Sequence, residues 1–228
     1  MNTILQTALD LTELSRAMQI AREAVLGGTD WIEAGTPLIK SEGMNAVREL
    51  AKEFPNHKII ADLKTSDTGG LEVEMAAKAG ADVVCILASA DDAVILDALR
   101  GAALYGVELM ADMMNVADVA GRAKQLADMG VHIINAHVGI DQQMEGKNPL
   151  DILSEISGLG VKVAAAGGLN AQTAAAAAAA GADIVIVGAG IVKAADVEAA
   201  ARAVREAIDS PSAAKPKTKT MDDEIREI

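Results

Sequence analysis

Three charged side chains within six positions, Asp62, Lys64 and Asp67, carry the first chemical signal in this sequence. They lie in the stretch 59–70, I-I-A-D-L-K-T-S-D-T-G-G, where an apolar run gives way to the trio and then to two glycines. In a strand, residues two apart share a face, so Asp62 and Lys64 should project together, with Asp67 in the loop beyond. An ion pair closing a strand end would account for D-x-K by itself. Three charges ending a buried strand are a different matter, because buried charge is costly unless it is paired or used.

The elements around the trio repeat as strand then helix. Short apolar runs at 3–9, 31–34, 58–63, 82–87, 107–111, 132–136, 162–166 and 183–187 fit strands buried on both faces of a parallel sheet. Amphipathic, alanine-rich segments alternate with them at 13–26, 42–53, 71–79, 92–104, 116–129, 149–156, 171–180 and 197–208. Gly-Ala-Asp recurs at 80–82 and 181–183 between a helix and a strand, and Gly27-Gly28, Gly106, Gly130 and Gly160 fall at matching places. Such a repeat predicts an α/β fold, a closed (β/α)8 TIM barrel over residues 1–209. No G-x-G-x-x-G follows the first strand, which removes support for a dinucleotide fold.

In that fold the C-terminal strand ends form the active-site rim. Strand by strand, the sequence delivers Asp10, Glu33, then Asp62 with Lys64, Asp112, His137, Gly167-Gly168 and finally Gly188-Ala189-Gly190. Each has a plainer reading: Asp10 could cap the first helix, Asp112 could pair with Lys64 or Arg122, and His137 could be a core histidine. His57 and His132 flank strand starts and read as structural. The glycine turns after strands seven and eight let backbone N–H groups approach an anion, a phosphate cradle that needs no arginine. Glu33 and Asp62, hard oxygen ligands on neighbouring strands, suit Mg²⁺. Carboxylates beside a lysine near a phosphate site suggest enediolate chemistry next to a carbonyl.

A net charge of −13 argues against nucleic acid or an anionic membrane as partner. The single cysteine, Cys85, excludes an intrachain disulfide and suits a reducing, cytoplasmic setting, and no secretory signal precedes the first strand. The apolar stretch 174–192 reads as helix, turn and strand rather than a membrane span, since it contains Asp183 and three glycines. Residues 210–228 have the composition of a flexible tail, or of a linker to a fused domain.

The combination resembles the orotidine monophosphate decarboxylase suprafamily, whose mark is D-x-K-x-x-D at the end of the third barrel strand. Within it the chain is similar to the 3-hexulose-6-phosphate synthases, through Q-T-A-L-D (6–10), I-E-A-G-T-P-L-I (32–39), A-D-L-K-T-S-D-T-G-G (61–70), M-A-D-M-M-N-V (110–116), H-V-G-I-D-Q-Q (137–143), A-A-G-G-L-N (165–170) and I-V-G-A-G-I (186–191). The resemblance implies a Mg²⁺-dependent, reversible addition of formaldehyde to C1 of D-ribulose 5-phosphate, giving D-arabino-hex-3-ulose 6-phosphate. It also implies metal ligation by Glu33 and Asp62, enediolate stabilisation by Lys64, and sugar contact by Asp10. His137 would transfer the C1 proton, with Asp112 helping that step or positioning substrate. Gly167, Gly168, Gly188, Ala189 and Gly190 would take the phosphate. Asp67 would act from the partner subunit of a homodimer.

A glutamate at 33 departs from the metal-independent nucleotide decarboxylases, which carry a lysine near that place. The 3-keto-L-gulonate 6-phosphate decarboxylases, an alternative reading, tend to have glutamate where this chain has Asp112 and arginine where it has Ile140. The loop His137-Val138-Gly139-Ile140-Asp141 also departs from the more typical H-T-G-Y-D. A phosphate-binding barrel acting as a scaffold is the non-enzyme alternative.

Overall fold

A computed structural model describes residues 3–210. Eight parallel strands close into a barrel in sequence order: β1 (Ile4–Leu9), β2 (Trp31–Ala34), β3 (Lys58–Thr65), β4 (Val83–Leu87), β5 (Glu108–Asp112), β6 (Ile133–His137), β7 (Lys162–Ala166) and β8 (Ile184–Val187), with β1 pairing β8. Around them run α1 (Leu14–Leu26), α2 (Thr36–Glu42), α3 (Asn45–Glu53), α4 (Gly69–Ala79), α5 (Asp92–Tyr105), α6 (Val119–Met129), α7 (Ile140–Gln143), α8 (Pro149–Ile156), α9 (Ala171–Ala179), α10 (Ala189–Val192) and α11 (Val197–Asp209). The tail expected beyond residue 210, and any fused domain after it, lies outside the described residues.

Alternation along each strand divides the apolar residues between two cores. Leu5, Leu9, Ile32, Ile59, Val84, Ile86, Leu109, Ile134 and Val185 face the helices. Ala8, Trp31, Ile60, Val83, Cys85, Met110, Ile133, Ala164, Ala166, Ile184 and Ile186 fill the barrel. The bottom has its own device. Asp30, Asp82, His132 and Asp183 each stand just before an even-numbered strand and accept the N–H of Leu5, Ile59, Leu109 and Val163 in the preceding odd-numbered strand, at 2.8–3.0 Å. This is what the aspartate of Gly-Ala-Asp does, and His132 is structural as expected.

Three expectations need correction. The helix expected over 42–53 is two, α2 and α3, because Gly43 at φ 65 turns the chain between them. The signal for α2 is present in Thr36-Pro37, since proline favours the first helical turn. The helix expected from 116 starts at Val119, where the Asp118 side chain accepts the Gly121 N–H. The short helices α7 and α10 fall where the sequence pattern offers only loops.

Candidate active site

The C-terminal strand ends surround a cavity of about 700 Å³. Asp10, Glu33, Asp62, Lys64, Asp112, His137, Gly167, Gly168, Gly188, Ala189 and Gly190 all line it. Asp67 does not. It is exposed on the loop after β3, and its Oδ1 accepts the neighbouring Thr68 N–H at 2.8 Å.

The trio's geometry depends on a backbone irregularity rather than on simple alternation. The β3–β4 register jumps between Asp62 and Thr65, and Lys64 sits in the left-handed region at φ 48. A non-glycine residue seldom occupies that region without a reason. The bulge re-aims the lysine, as bulges beside active sites do. Lys64 Nζ then donates to Asp62 Oδ2 at 2.8 Å and to Asp112 Oδ2 at 3.0 Å. The chain of contacts continues from Asp112 Oδ2 to His137 Nδ1 at 2.7 Å, while Asp112 Oδ1 accepts the Met114 N–H at 2.9 Å. Of the two partners open to Asp112, it takes Lys64. Arg122 instead pairs with Asp92 and donates to the carbonyls of Ala88 and Ala90.

The electrostatics follow from this line of alternating charge. Burial opposes the Lys64 ammonium, but Asp62 and Asp112 outweigh it and hold the lysine protonated far above its usual range. Burial would likewise raise Asp112; the bond and charge of His137 and the charge of Lys64 reverse this and bring its carboxyl down to about 2. Asp112 is therefore ionised at any working pH. Its contact with Nδ1 orients the imidazole and leaves Nε2 for a substrate.

Glu33 is pushed well above the usual carboxylate range, first by burial, then by the facing charges of Asp62 and Asp10. Gln6 donates to Glu33 Oε2 at 2.5 Å. Asp10 is raised in the same way, by partial burial and then by Asp62. It does not cap α1, whose N-terminal flank at Glu13 has no side-chain cap. It is instead set closely between two glycines: a Cβ on Gly35 would lie 2.3 Å from Asp10 Oδ1, and one on Gly188 3.2 Å from Oδ2.

Glu33 and Asp62 fit a divalent cation on two counts. Asp62 Oδ1 is buried without a hydrogen-bond partner, and mutual repulsion among Glu33, Asp62 and Asp10 is what a bound cation would relieve. Among the described residues no three ligating side chains form a cage. Two carboxylates are a donor set of the kind Mg²⁺ takes while keeping several waters.

Opposite the charged line, the turns after β7 and β8 bring backbone to the cavity. Gly167 adopts φ 111 and Gly168 φ 65, and a Cβ on Gly167 would meet the Val138 carbonyl oxygen at 2.3 Å. Ala189 and Gly190 open α10, so their N–H groups have no intrahelical partner. The arrangement offers donors to an anion on one side and carboxylates, an ammonium and an imidazole on the other.

Sequence reasoning missed several neighbours. Thr36 Oγ1 donates to Asp62 Oδ2 at 2.8 Å, brought there by the unexpected α2. Gln6 had a legible signal, lying in strand alternation with Ala8 and Asp10. Asn135, two before His137, carries the same signal and also lines the cavity.

Closed barrel, rim carboxylates with a bulge-aimed lysine, and glycine anion cradle together define a (β/α)8 enzyme site. Residues 3–204 match the Orotidine 5'-phosphate decarboxylase / HUMPS family, and the chain belongs to that family. It is 39% identical over 206 residues to the 3-hexulose-6-phosphate synthase of Bacillus subtilis (strain 168), covering 90% of this chain and 98% of that one. The crystal structure of 3-hexulose-6-phosphate synthase from Salmonella typhimurium superposes with a TM-score of 0.86 at 34% identity, over 91% of this chain and 98% of that one. A crystal structure of KGPDC from Streptococcus mutans superposes with a TM-score of 0.84 at 27% identity, over 90% of this chain and 97% of that one. The chain is an enzyme, and the scaffold alternative falls.

Proposed function

We propose that the protein catalyses the reversible, Mg²⁺-dependent addition of formaldehyde to C1 of D-ribulose 5-phosphate, forming D-arabino-hex-3-ulose 6-phosphate. The observation that carries this reading is the unbroken contact line Asp62–Lys64–Asp112–His137 facing the glycine cradle across one cavity. The curated relative from Bacillus subtilis supports the choice of reaction.

The glycine turns hold the phosphate at the mouth through backbone N–H groups. Asp10, at the lip, accepts from sugar hydroxyls. His137, oriented by Asp112, takes a proton from C1 onto Nε2, and the electron pair left behind spreads over C1, C2 and the C2 oxygen as an enediolate. Lys64 already donates to two carboxylates, and its third hydrogen is free for the oxyanion that develops. Glu33 and Asp62 would hold the divalent cation, which when bound supplies further charge stabilisation at the substrate oxygens. C1 then adds to the formaldehyde carbon, the C2 carbonyl reforms, and the formaldehyde oxygen takes the proton held on His137 to become a hydroxyl.

Asp67, exposed and outside the lining of its own cavity, is reserved for the site of a second copy. The homodimer this requires is supported by exposed Leu71 and Met75 on α4 and Leu96 and Leu104 on α5. With one buried thiol and no helix among the described residues able to cross a membrane, the protein suits a reducing cytoplasm.

The test is formaldehyde consumption by the purified protein with and without ribulose 5-phosphate, and with and without EDTA. Consumption should need both sugar phosphate and divalent cation; a folded protein that consumes none overturns the reading. A second reading, decarboxylation of 3-keto-L-gulonate 6-phosphate, is favoured by the likeness to KGPDC. It reaches a 1,2-enediolate of the same kind by losing CO₂, and CO₂ release exceeding aldol turnover would reverse the order.

A further inference from the structure

The cavity continues below the reacting groups. Its deepest lining is Ala8, Cys85, Met110, Asn135, Ala166 and Ile186, each no more than 6% exposed. Asn135 pairs in register with Asp112 on one side and Ala164 on the other, and it precedes His137 by two residues on β6. Its side chain therefore enters the barrel on the same face as the imidazole, one layer deeper.

Asn135 Oδ1 is buried with no hydrogen-bond partner. A buried amide oxygen left unpaired costs stability, a cost kept where the amide serves a ligand rather than the fold. Cys85, also on this floor, has its Sγ against Met110 Sδ at 3.6 Å, and burial raises its thiol further from reactivity. The floor thus offers one amide among small or apolar walls.

A sugar phosphate held by its phosphate at the glycine turns would extend its chain inward, bringing the carbon that joins C1 against this floor. We propose that Asn135 is a specificity-determining residue for the incoming one-carbon aldehyde, a role that rests on the aldol reading and gives its second substrate a place. The Asn135 amide NH₂ holds the aldehyde oxygen while C1 bonds to the carbonyl carbon. That oxygen takes the proton removed from C1, handed on by His137 Nε2. A one-carbon aldehyde needs this single polar contact and no further room.

Asn135→Ala tests it, compared with wild type by steady-state formaldehyde consumption and by titration calorimetry of ribulose 5-phosphate without formaldehyde. The KM for formaldehyde should rise about tenfold or more. The rate with glycolaldehyde relative to formaldehyde should rise, because the truncation opens space. Ribulose 5-phosphate affinity should stay within about twofold, a split that general damage to the site would not give. Asn135→Ser, smaller but polar, serves if the alanine variant fails to melt cooperatively, with the same direction expected. An unmoved formaldehyde KM in a folded variant, or a parallel loss of sugar phosphate affinity, overturns the assignment while leaving the aldol reading intact. A wild type inert toward formaldehyde overturns both.

Discussion

Replacing Asp112 by asparagine separates proton transfer from everything else in the site. The carboxylate is 2% exposed and accepts three hydrogen bonds, from Lys64, His137 and the Met114 N–H. Asparagine keeps the shape and can keep the Met114 bond on its oxygen. Its NH₂ then faces two groups that are themselves donors, so two charge-assisted bonds are lost. At about 1.5–3 kcal/mol each the gross loss is about 3–6 kcal/mol. Lys64 retains Asp62 at 2.8 Å and is partly open to water, so a net destabilisation of about 2–4 kcal/mol is expected. The larger effect is on chemistry. Without a carboxylate on Nδ1 the imidazole loses its fixed orientation and tautomer, which should lower kcat by about 10²–10⁴-fold. The assay is wash-in of solvent deuterium at C1 of ribulose 5-phosphate, followed by NMR without formaldehyde, so that only the proton step is read. A folded Asp112→Asn protein exchanging C1 within about threefold of wild type would refute the role of the Asp112–His137 contact.

Three further outcomes follow from the geometry. Glu33→Gln should lose the thermal stabilisation that Mg²⁺ gives wild type, about 2.7 kcal/mol or roughly 5–10 °C at a hundredfold excess over Kd. Without metal it should melt no lower than wild type, because it removes a charge from a crowded acidic cluster; equal Mg²⁺ shifts in both proteins would clear Glu33 of metal binding. Asp67→Ala and Lys64→Ala, each inactive alone, should regain roughly a quarter of wild-type activity when refolded together, since half the random dimers hold one intact shared site. No recovery would place Asp67 in its own chain's site. At the barrel bottom, burial would raise Glu108, but bonds from Lys162 and Lys58 at 2.7 and 2.5 Å bring it below its usual value. Its stabilisation is therefore complete above the unfolded value of about 4.3 and lost as pH falls through the lower folded one. Glu108→Gln should cost about 1 kcal/mol in urea melts at pH 7 and progressively less below pH 4; a pH-independent difference would disprove the linkage.

The sequence by itself determined the barrel, because apolar runs flanked by amphipathic segments and glycine stops are local patterns, each legible within about a dozen residues. It also determined which strand ends carry acids, the lysine, the histidine and the glycines, since strand ends follow from strand positions. Tertiary structure alone decided how those groups are joined. Lys64 reaches Asp62 and Asp112 through a bulge and a left-handed backbone angle, which alternation along an ideal strand does not foretell. Thr36 meets Asp62 because α2 turns back over the cavity, and Asp112 chooses Lys64 over Arg122 because Arg122 is taken by Asp92 and two carbonyls of the neighbouring loop. Contacts between residues 25 to 50 positions apart depend on register and closure, properties of the whole barrel. So does the unpaired amide of Asn135, whose neighbours on the floor come from strands across the molecule. Side-chain chemistry was written locally; which groups share a proton or a charge was set only when the eighth strand met the first.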